Sequence, residues 1–255
     1  MIFDSLTHPT LDGTYLNSGE DCSFLTVVNQ VKAAGLKGAC AVGLPGIGGY
    51  EHESYFEKCS EYSELYPVAA LDFSKNIPSE LESIKNIGYR AIKIHPRRLE
   101  HDFTLDNLHE ALSLAGDQGL VTFLCTYNFS SASSMREGLN FDGLVEVLGR
   151  KKMGRIVLLH GGGVELMRYA ELVRHNENLL LDLSFTLLKY RGSSIDLDIE
   201  YLFNNFDRRI CIGSDAPDFT PKQMVERFNE LTKNLNADKI ENIAYKNLYN
   251  FLEIK

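Results

Sequence analysis

The chain has 255 residues, of which 44% are hydrophobic, and it carries a formal net charge of −9. This length and apolar content suffice for one substantial core, and the acidic balance disfavours nucleic acid as a partner, because the surface is not built to neutralise phosphates. No apolar run approaches the roughly 18 residues that cross a bilayer, and no signal peptide is visible, so we expect no membrane partner.

Short apolar runs recur along the whole chain and predict eight β-strands, each close to the usual strand length. In chain order the runs are MIFDSL at 1–6, GACAVGL at 38–44, YPVAALDF at 66–73, RAIKIHP at 90–96, LVTFLCTY at 120–127, RIVLLHGGG at 155–163, NLLLDLSF at 178–185 and RRICIGSDAP at 208–217.

Stretches of helical period separate these runs. Thr220 and Pro221 are typical of an N-cap followed by proline in the first helical turn. Apolar residues at helical spacing form stripes at three places, namely Val27, Val28, Val31 and Ala34, then Leu108, Ala111, Leu112 and Ala115, and finally Met224, Phe228 and Leu231. Each stripe predicts an amphipathic helix.

Near-continuous apolar strands that alternate with helices indicate a parallel sheet buried on both faces. About eight such units fit a closed (β/α)8 barrel, the TIM-barrel fold of the α/β class, better than an open doubly wound sheet. No linker, low-complexity tract or internal repeat interrupts the pattern, so we predict a single domain over residues 1–255.

Five cysteines are scattered along the chain and never form a C-x-x-C pair. Their odd number and spacing disfavour disulfides and a structural zinc site, and they favour a reducing cytoplasm.

Reactive side chains fall at the carboxyl ends of the predicted strands, where the loops of a barrel form its active site. They are His8, Asp72, His95, Cys125, His160 and Asp215. Any one of them taken alone is better explained as a hydrogen-bonded structural residue or a turn cap. Six such residues on different strands favour a composite site.

Alternation along each strand predicts which side chains share a face. It places Asp4, Leu6 and His8 together on the first strand. It also pairs Lys93 with His95, Phe123 with Cys125, and Leu158 with His160. If these sets point inward, they meet at one mouth of the barrel.

Four stretches in order, FDSLTHP at 3–9, AIKIHP at 91–96, LLHGGG at 158–163 and GSDAP at 213–217, together resemble the amidohydrolase-related family. The segment IAYKNLYNFL at 243–252 resembles the closing segment of that family. The resemblance spans nearly the whole chain and implies a TIM barrel of the amidohydrolase superfamily, whose members are metal-dependent hydrolases and decarboxylases.

The resemblance carries over residue by residue at Asp4, His8, His160 and Asp215. Leu6 stands where the family has the first histidine of Asp-x-His-x-His, and Cys125 stands where it has the histidine of the fifth strand. Leucine cannot bind a metal, whereas a cysteine thiolate can. Two arrangements therefore stay open: one divalent metal, with zinc as first choice, held by His8, Cys125, His160 and Asp215, or no metal.

The same resemblance implies a hydrolase that attacks a lactone, ester or amide of a small polar or acidic metabolite with water. We expect Asp215 and His160 as the catalytic residues, with Asp215 as the general base. Without a metal, His160, His8 or Lys93 could polarise the carbonyl oxygen in place of the Lewis acid. For substrate binding we expect Lys93, His95, Arg97 and Tyr127. A metal-free lactonase branch exists in the family, so lactonase activity fits either arrangement.

Three alternatives remain open. The scaffold also supports decarboxylation of a related acid, and the loss of a metal ligand at Leu6 allows a barrel that only binds a ligand or a partner. Cys125 could instead be a nucleophile with His160 as its base. The glycine-rich loop at 43–55 is either a lid over the mouth or a long connection, and an oligomer is not excluded.

Overall fold

The eight predicted strands are all present. A computed structural model describes residues 1–16, 19–98, 103–132, 135, 138–150 and 153–254. Its strands are β1 (Phe3–Thr7), β2 (Gly38–Val42), β3 (Leu65–Ala70), β4 (Ala91–Ile94), β5 (Val121–Cys125), β6 (Ile156–Leu159), β7 (Leu179–Asp182) and β8 (Ile210–Cys211). The sixth and eighth are shorter than their apolar runs, because the backbone turns sharply after each.

The strands form one parallel sheet in chain order, β1 to β8. Backbone hydrogen bonds then join its two edges: Ser5 N donates to Ile212 O at 3.0 Å, and Asp215 N donates to Leu6 O at 2.9 Å. The sheet is therefore a (β/α)8 barrel, as the alternation of strands and helices predicts.

The helices surround this barrel. They are α1 (Phe24–Ala33), α2 (His52–Ser60), α3 (Ile77–Ile87), α4 (Leu105–Asp117), α5 (Phe141–Arg150), α6 (Leu166–Arg174), α7 (Thr186–Lys189), α8 (Ile195–Asn205), α9 (Pro221–Leu231), α10 (Ala237–Glu241) and α11 (Asn247–Leu252). The three predicted helical stripes lie on α1, α4 and α9. Thr220 caps α9 in a capping box with Gln223, which confirms the predicted N-cap.

Apolar residues pack in two layers. The outer layer lies between the strands and the helices and contains Leu158. The inner layer fills the barrel and contains Leu6, Phe123 and Leu159. The prediction that Leu158 shares a face with His160 is therefore wrong, because the backbone leaves the strand geometry at His160, where φ is +65°.

Helix α11 closes the amino-terminal end of the barrel. Leu248 and Leu252 pack into the inner layer beside Phe3. The amide of Asn247 ties the helix to the last strand by donating to Ile210 O at 2.7 Å. With this end filled, the barrel interior opens to a ligand at the carboxyl ends of the strands.

The glycine-rich loop after β2 packs against its neighbours. Leu11 N donates to Gly48 O at 2.9 Å, and the Tyr50 hydroxyl accepts from Ala70 N at 2.9 Å. A Cβ built on Gly43 would lie 2.0 Å from the Tyr50 ring, so only glycine fits there. These contacts favour a fixed connection over a lid. Among the described residues, no helix combines the length and apolar character that a bilayer requires.

Candidate active site at the barrel mouth

A cavity of about 250 Å³ lies at the carboxyl ends of the strands. It brings together most of the residues that the sequence predicts for the site. Those that line it are His8, Lys93, His95, Arg97, His160 and Asp215.

His8 lies at the end of β1 and is 3% exposed. Its Nδ1 donates to the carbonyl of Val42 at 2.7 Å. Its Nε2 faces Lys93 Nζ at 3.1 Å and lies 3.5 Å from Asp215 Oδ1. Burial and the neighbouring Lys93 lower the pKa of His8 to about 4, so the imidazole is neutral at physiological pH.

Lys93 on β4 and His95, which directly follows the end of this strand, both line the cavity, as alternation predicts. Burial lowers the pKa of each side chain. His95 Nδ1 is buried without a hydrogen-bond partner in the part of the chain that the structure describes. It is therefore available to a polar atom of a substrate or a water.

His160 follows β6 in a left-handed turn. Gly161, Gly162 and Gly163 continue this turn, with φ between +54° and +72°. A Cβ built on Gly162 would lie 2.1 Å from the ring of Tyr169, so a larger residue would not fit. The turn brings the imidazole of His160 into the mouth, where a regular strand would not have placed it.

Two residues that follow β7 or end it hold His160 in place. Its Nδ1 donates to Ser184 O at 3.1 Å, and its backbone N donates to Asp182 Oδ1 at 3.2 Å. Asp182 also accepts hydrogen bonds from the hydroxyls of Ser5 and Ser184. The carboxylate of Asp182 thus helps to fix the position of His160, although Asp182 itself does not line the cavity.

His160 is positively charged at neutral pH, whereas His8 is neutral. Burial lowers the pKa of His160, but the Asp215 carboxylate and the Cys125 thiol outweigh this effect and raise the pKa to about 9. The distance from His160 Nδ1 to Asp215 Oδ2 is 4.0 Å. Burial raises the pKa of the Cys125 thiol, yet His95 and His160 outweigh it and hold that pKa well below its usual value.

Asp215 stands after β8 with φ +59°. Burial raises the pKa of its carboxyl, but His160, His8 and Lys93 hold that pKa well below its usual range.

The carboxylate of Asp4 holds Ser214, the residue directly before Asp215, by two hydrogen bonds. It accepts from Ser214 N at 2.8 Å and from Ser214 Oγ at 2.6 Å. Asp4 on β1 thereby supports the segment that carries Asp215, across the junction between the first and last strands.

The predicted metal ligands do not form a metal-binding group. Leu6 is fully buried in the inner layer, and His8 Nε2 faces an amine. Within residues 1–16, 19–98, 103–132, 135, 138–150 and 153–254, no three His, Cys, Asp or Glu side chains are arranged to hold a metal ion. The side chains of His8, Cys125, His160 and Asp215 as arranged therefore do not fit a bound divalent metal.

Tyr127 adjoins the cavity through two neighbours. Its ring is 5.3 Å from the guanidinium of Arg97 and 6.2 Å from the ring of His160. The structure therefore places Tyr127 where it orients Arg97. A direct substrate contact by Tyr127 stays a prediction.

The cavity wall contains residues that sequence reasoning missed, among them Tyr15 and Asp218. The ring of Tyr15 stacks on His8 with centroids 5.7 Å apart. Both residues lie in loops a few positions beyond a strand end. Extending the search for polar side chains from the strand ends into the following loops would have found them.

Comparison with known proteins finds likeness in structure alone. No protein-family model matches the chain, and no curated protein matches it in sequence. A TIM-barrel protein from Bordetella bronchiseptica has TM-score 0.79 and 19% identity, over 99% of this chain and 98% of that chain. At such identities the likeness establishes the fold.

Two further solved structures carry functional descriptions. One is a probable 2-pyrone-4,6-dicarboxylic acid hydrolase from Acinetobacter baumannii with citric acid bound, with TM-score 0.71 and 15% identity over 99% of both chains. The other is an amidohydrolase from Burkholderia multivorans with bound zinc, with TM-score 0.71 and 13% identity over 100% of both chains. Decarboxylases also share the fold. Solved structures described as amidohydrolases and as decarboxylases thus share the fold of this chain, and that fold is the one that the resemblance seen in the sequence implies.

Proposed function

We propose that this protein is a hydrolase that adds water to a lactone or another activated ester of a small acidic metabolite. The observation that carries the proposal is the convergence of an ionised Asp215, a protonated His160 and a neutral His8 in one buried cavity. Three such residues from three strands are what acid–base catalysis at a barrel mouth requires.

Asp215 holds the attacking water. Its carboxylate stays ionised at neutral pH, because His160, His8 and Lys93 hold its pKa low against the effect of burial. A carboxylate can accept a hydrogen bond from water and take its proton as the water attacks the carbonyl carbon. A base whose pKa lies far below the working pH takes a proton less readily, so the substrate must be activated. This favours a lactone or ester over an amide.

His160 stabilises the oxyanion. With a pKa of about 9 the ring is an imidazolium at neutral pH. It can donate to the carbonyl oxygen as negative charge develops there, and it is already held in place by Asp182 and Ser184. Preorganised donors of this kind are worth roughly 10² to 10³ in rate.

The cavity wall favours an acidic substrate. Lys93, Arg97 and Arg98 line one side of it, and guanidinium groups suit carboxylates through paired hydrogen bonds. The structural neighbour that is named for 2-pyrone-4,6-dicarboxylic acid supports an acidic lactone as the substrate class.

Metal is assigned no step in this mechanism. Zinc would polarise the carbonyl and lower the pKa of a bound water, and the Burkholderia neighbour contains it. The donor arrangement here does not fit zinc, since an amine faces His8 Nε2. The chain's own residues account for the binding of an acidic substrate, for the proton that Asp215 takes from water and for the proton that His160 donates to the oxyanion.

Decarboxylation is the second candidate, supported by the decarboxylases that share the fold. The cationic wall speaks against it, because it stabilises the carboxylate that a decarboxylase must expel. The five cysteines, all of which lie within the described residues, are buried and form no disulfide. This suits a reducing compartment, and we place the protein in the cytoplasm as part of the proposal.

One assay separates these candidates. A panel of lactones and esters, each with and without a carboxylate, is incubated with the protein while acid production and CO2 release are followed in parallel. We expect acid production from carboxylated lactones without CO2. Release of CO2 would establish the decarboxylase instead, and tight binding of an acid without any turnover would indicate a barrel that only binds its ligand.

A further inference from the structure

The imidazole of His8 presents its unprotonated nitrogen to an amine. Its Nδ1 is 2.7 Å from the Val42 carbonyl oxygen, and a carbonyl only accepts, so Nδ1 carries the hydrogen. Nε2 is then an acceptor, and Lys93 Nζ faces it at 3.1 Å. A lysine amine has hydrogens to donate whether or not it is charged, so the direction of this bond does not depend on its titration.

The lone pair that a metal would need from His8 is therefore already used. The other group beside this nitrogen is Asp215 Oδ1, at 3.5 Å. An imidazole nitrogen and a carboxylate oxygen are ordinary zinc ligands, but here the lysine side chain lies against them. Lys93 is itself only 3% exposed, so its side chain is held inside the barrel mouth beside these two groups.

The first strand offers no second imidazole that could compensate. Leu6 is fully buried and packs in the inner layer with Phe123 and Leu159. The buried leucine on the first strand and the approach of an amine to His8 are two independent observations. Both favour a site that holds an internal cation and no metal.

We propose that Lys93 takes the place of a divalent cation at this barrel mouth, excluding zinc from His8 and Asp215 and presenting its amine to the substrate oxyanion. The part that concerns the oxyanion rests on the proposed hydrolase function. The exclusion of zinc does not, and it can be tested without any substrate.

Zinc binding is measured by calorimetric titration and by metal analysis after dialysis against zinc, for the parent and three variants. Lys93→Met removes the amine. Lys93→Glu removes it and adds a carboxylate beside His8 and Asp215, which completes the three protein ligands of a catalytic zinc site. Lys189→Glu is the matched control, because Lys189 is an exposed lysine on α7, after β7, that lies over the ring of Phe185.

We expect the parent and Lys189→Glu to bind zinc only weakly and below one equivalent. Lys93→Glu should bind one equivalent at least roughly a hundred-fold more tightly, since a unit charge a few ångströms from a cation has an effect of that size near a protein surface. Lys93→Met should fall between them. Cobalt(II) absorption in the Lys93→Glu variant gives a second readout, and circular dichroism checks that each variant is folded.

Two results would overturn the inference. One is stoichiometric, tight zinc in the parent protein. The other is zinc affinity in folded Lys93→Met and Lys93→Glu that equals that of the parent. Failure of the proposed function looks different: no ester or lactone is hydrolysed by the parent, while the zinc titrations still separate the variants as expected.

Discussion

The ends of β1 and β6 each present one histidine to the same cavity, yet at neutral pH one ring is neutral and the other is positively charged. His8 sits against the Lys93 amine, and its pKa falls to about 4. His160 sits near the Asp215 carboxylate and the Cys125 thiol, and its pKa rises to about 9. Both rings are buried, and burial lowers the pKa of both.

The difference therefore comes from the neighbouring charges. The cation beside His8 keeps that ring a hydrogen-bond acceptor, and the anions beside His160 keep that ring a donor, within one small cavity. Such a separation of pKa values is how one site supplies both an acid and a base at neutral pH.

The largest effect should follow from substitution of Asp215, whose carboxylate lies beside both His8 and His160. Asp215→Asn removes the carboxylate that orients the water and stabilises the His160 imidazolium. We expect kcat/KM on a carboxylated lactone to fall by about 10² to 10⁴. Asp238→Asn, which changes an exposed carboxylate on α10 that does not line the cavity, is the matched control and should lose less than about tenfold. Similar losses in the two variants would remove Asp215 from the role of base.

The two histidines should also differ as single substitutions. His160→Gln removes the charged donor to the oxyanion, so we expect kcat to fall by about 10² to 10³. His8→Gln removes a neutral ring that holds Lys93, and its loss should be smaller and divided between kcat and KM. Steady-state kinetics on thermally stable variants test this order, and a larger effect at His8 would reverse the assignment of roles.

Opposite shifts of the two imidazole pKa values would sharpen the comparison. Cys125→Ser removes an anion, so the pKa of His160 should fall. Lys93→Met removes a cationic neighbour, so the pKa of His8 should rise. NMR titration of the ring protons measures both.

The same changes are visible in turnover. Activity of the parent should decline above about pH 9, as His160 loses its proton. In Cys125→Ser this decline should begin at lower pH. An unchanged basic limb together with a shifted NMR titration would show that His160 is charged without serving catalysis.

The smallest effect on catalysis should come from substitution of a buried carboxylate that does not line the cavity. Asp4 holds the segment after β8 by hydrogen bonds to Ser214, much as Asp182 holds His160 after β6. Burial raises the pKa of Asp4 from 3.8 to about 7. A raised folded-state pKa means that the stability contributed by protonated Asp4 is full below pH 4 and is lost as pH rises to about 7.

Asp4→Asn should flatten this dependence. Relative to the variant, the parent should lose about 3 kcal/mol of unfolding free energy between pH 5 and pH 8, because this interval includes about two units below the folded-state pKa at about 1.4 kcal/mol per unit. Denaturant unfolding at both pH values measures it, and kcat should change little. A parent that gains stability relative to Asp4→Asn over this range would contradict the assignment.

Much of this site follows from periodicity in the sequence. The apolar runs predict eight parallel strands, and the rule that barrel loops open at strand ends then brings His8, Lys93, His95 and Asp215 to one mouth. Both inferences depend only on local pattern and on the geometry of parallel sheets.

The remaining features depend on backbone irregularities that no pattern reveals. The pairing of β1 with β2 shifts register between Asp4 and Thr7, and the left-handed turn at His160 breaks the alternation after Leu159. The contact of Lys93 with His8 crosses 85 positions of sequence. Such a contact is fixed by side-chain packing across the mouth, which a single sequence does not encode in any local pattern.

The helix that seals the floor of the barrel bears on how the chain reaches this structure during synthesis. Leu248 and Leu252 pack beside Phe3. The ring of Phe3 on β1 therefore cannot be buried until a segment more than two hundred positions later has been synthesised. The nascent barrel must therefore keep an apolar opening in contact with water while the ribosome extends the chain. Exposed apolar surface of this kind attracts chaperones and favours aggregation, so we expect the yield of folded protein to depend on residues 247–252, although none of them is near the active site.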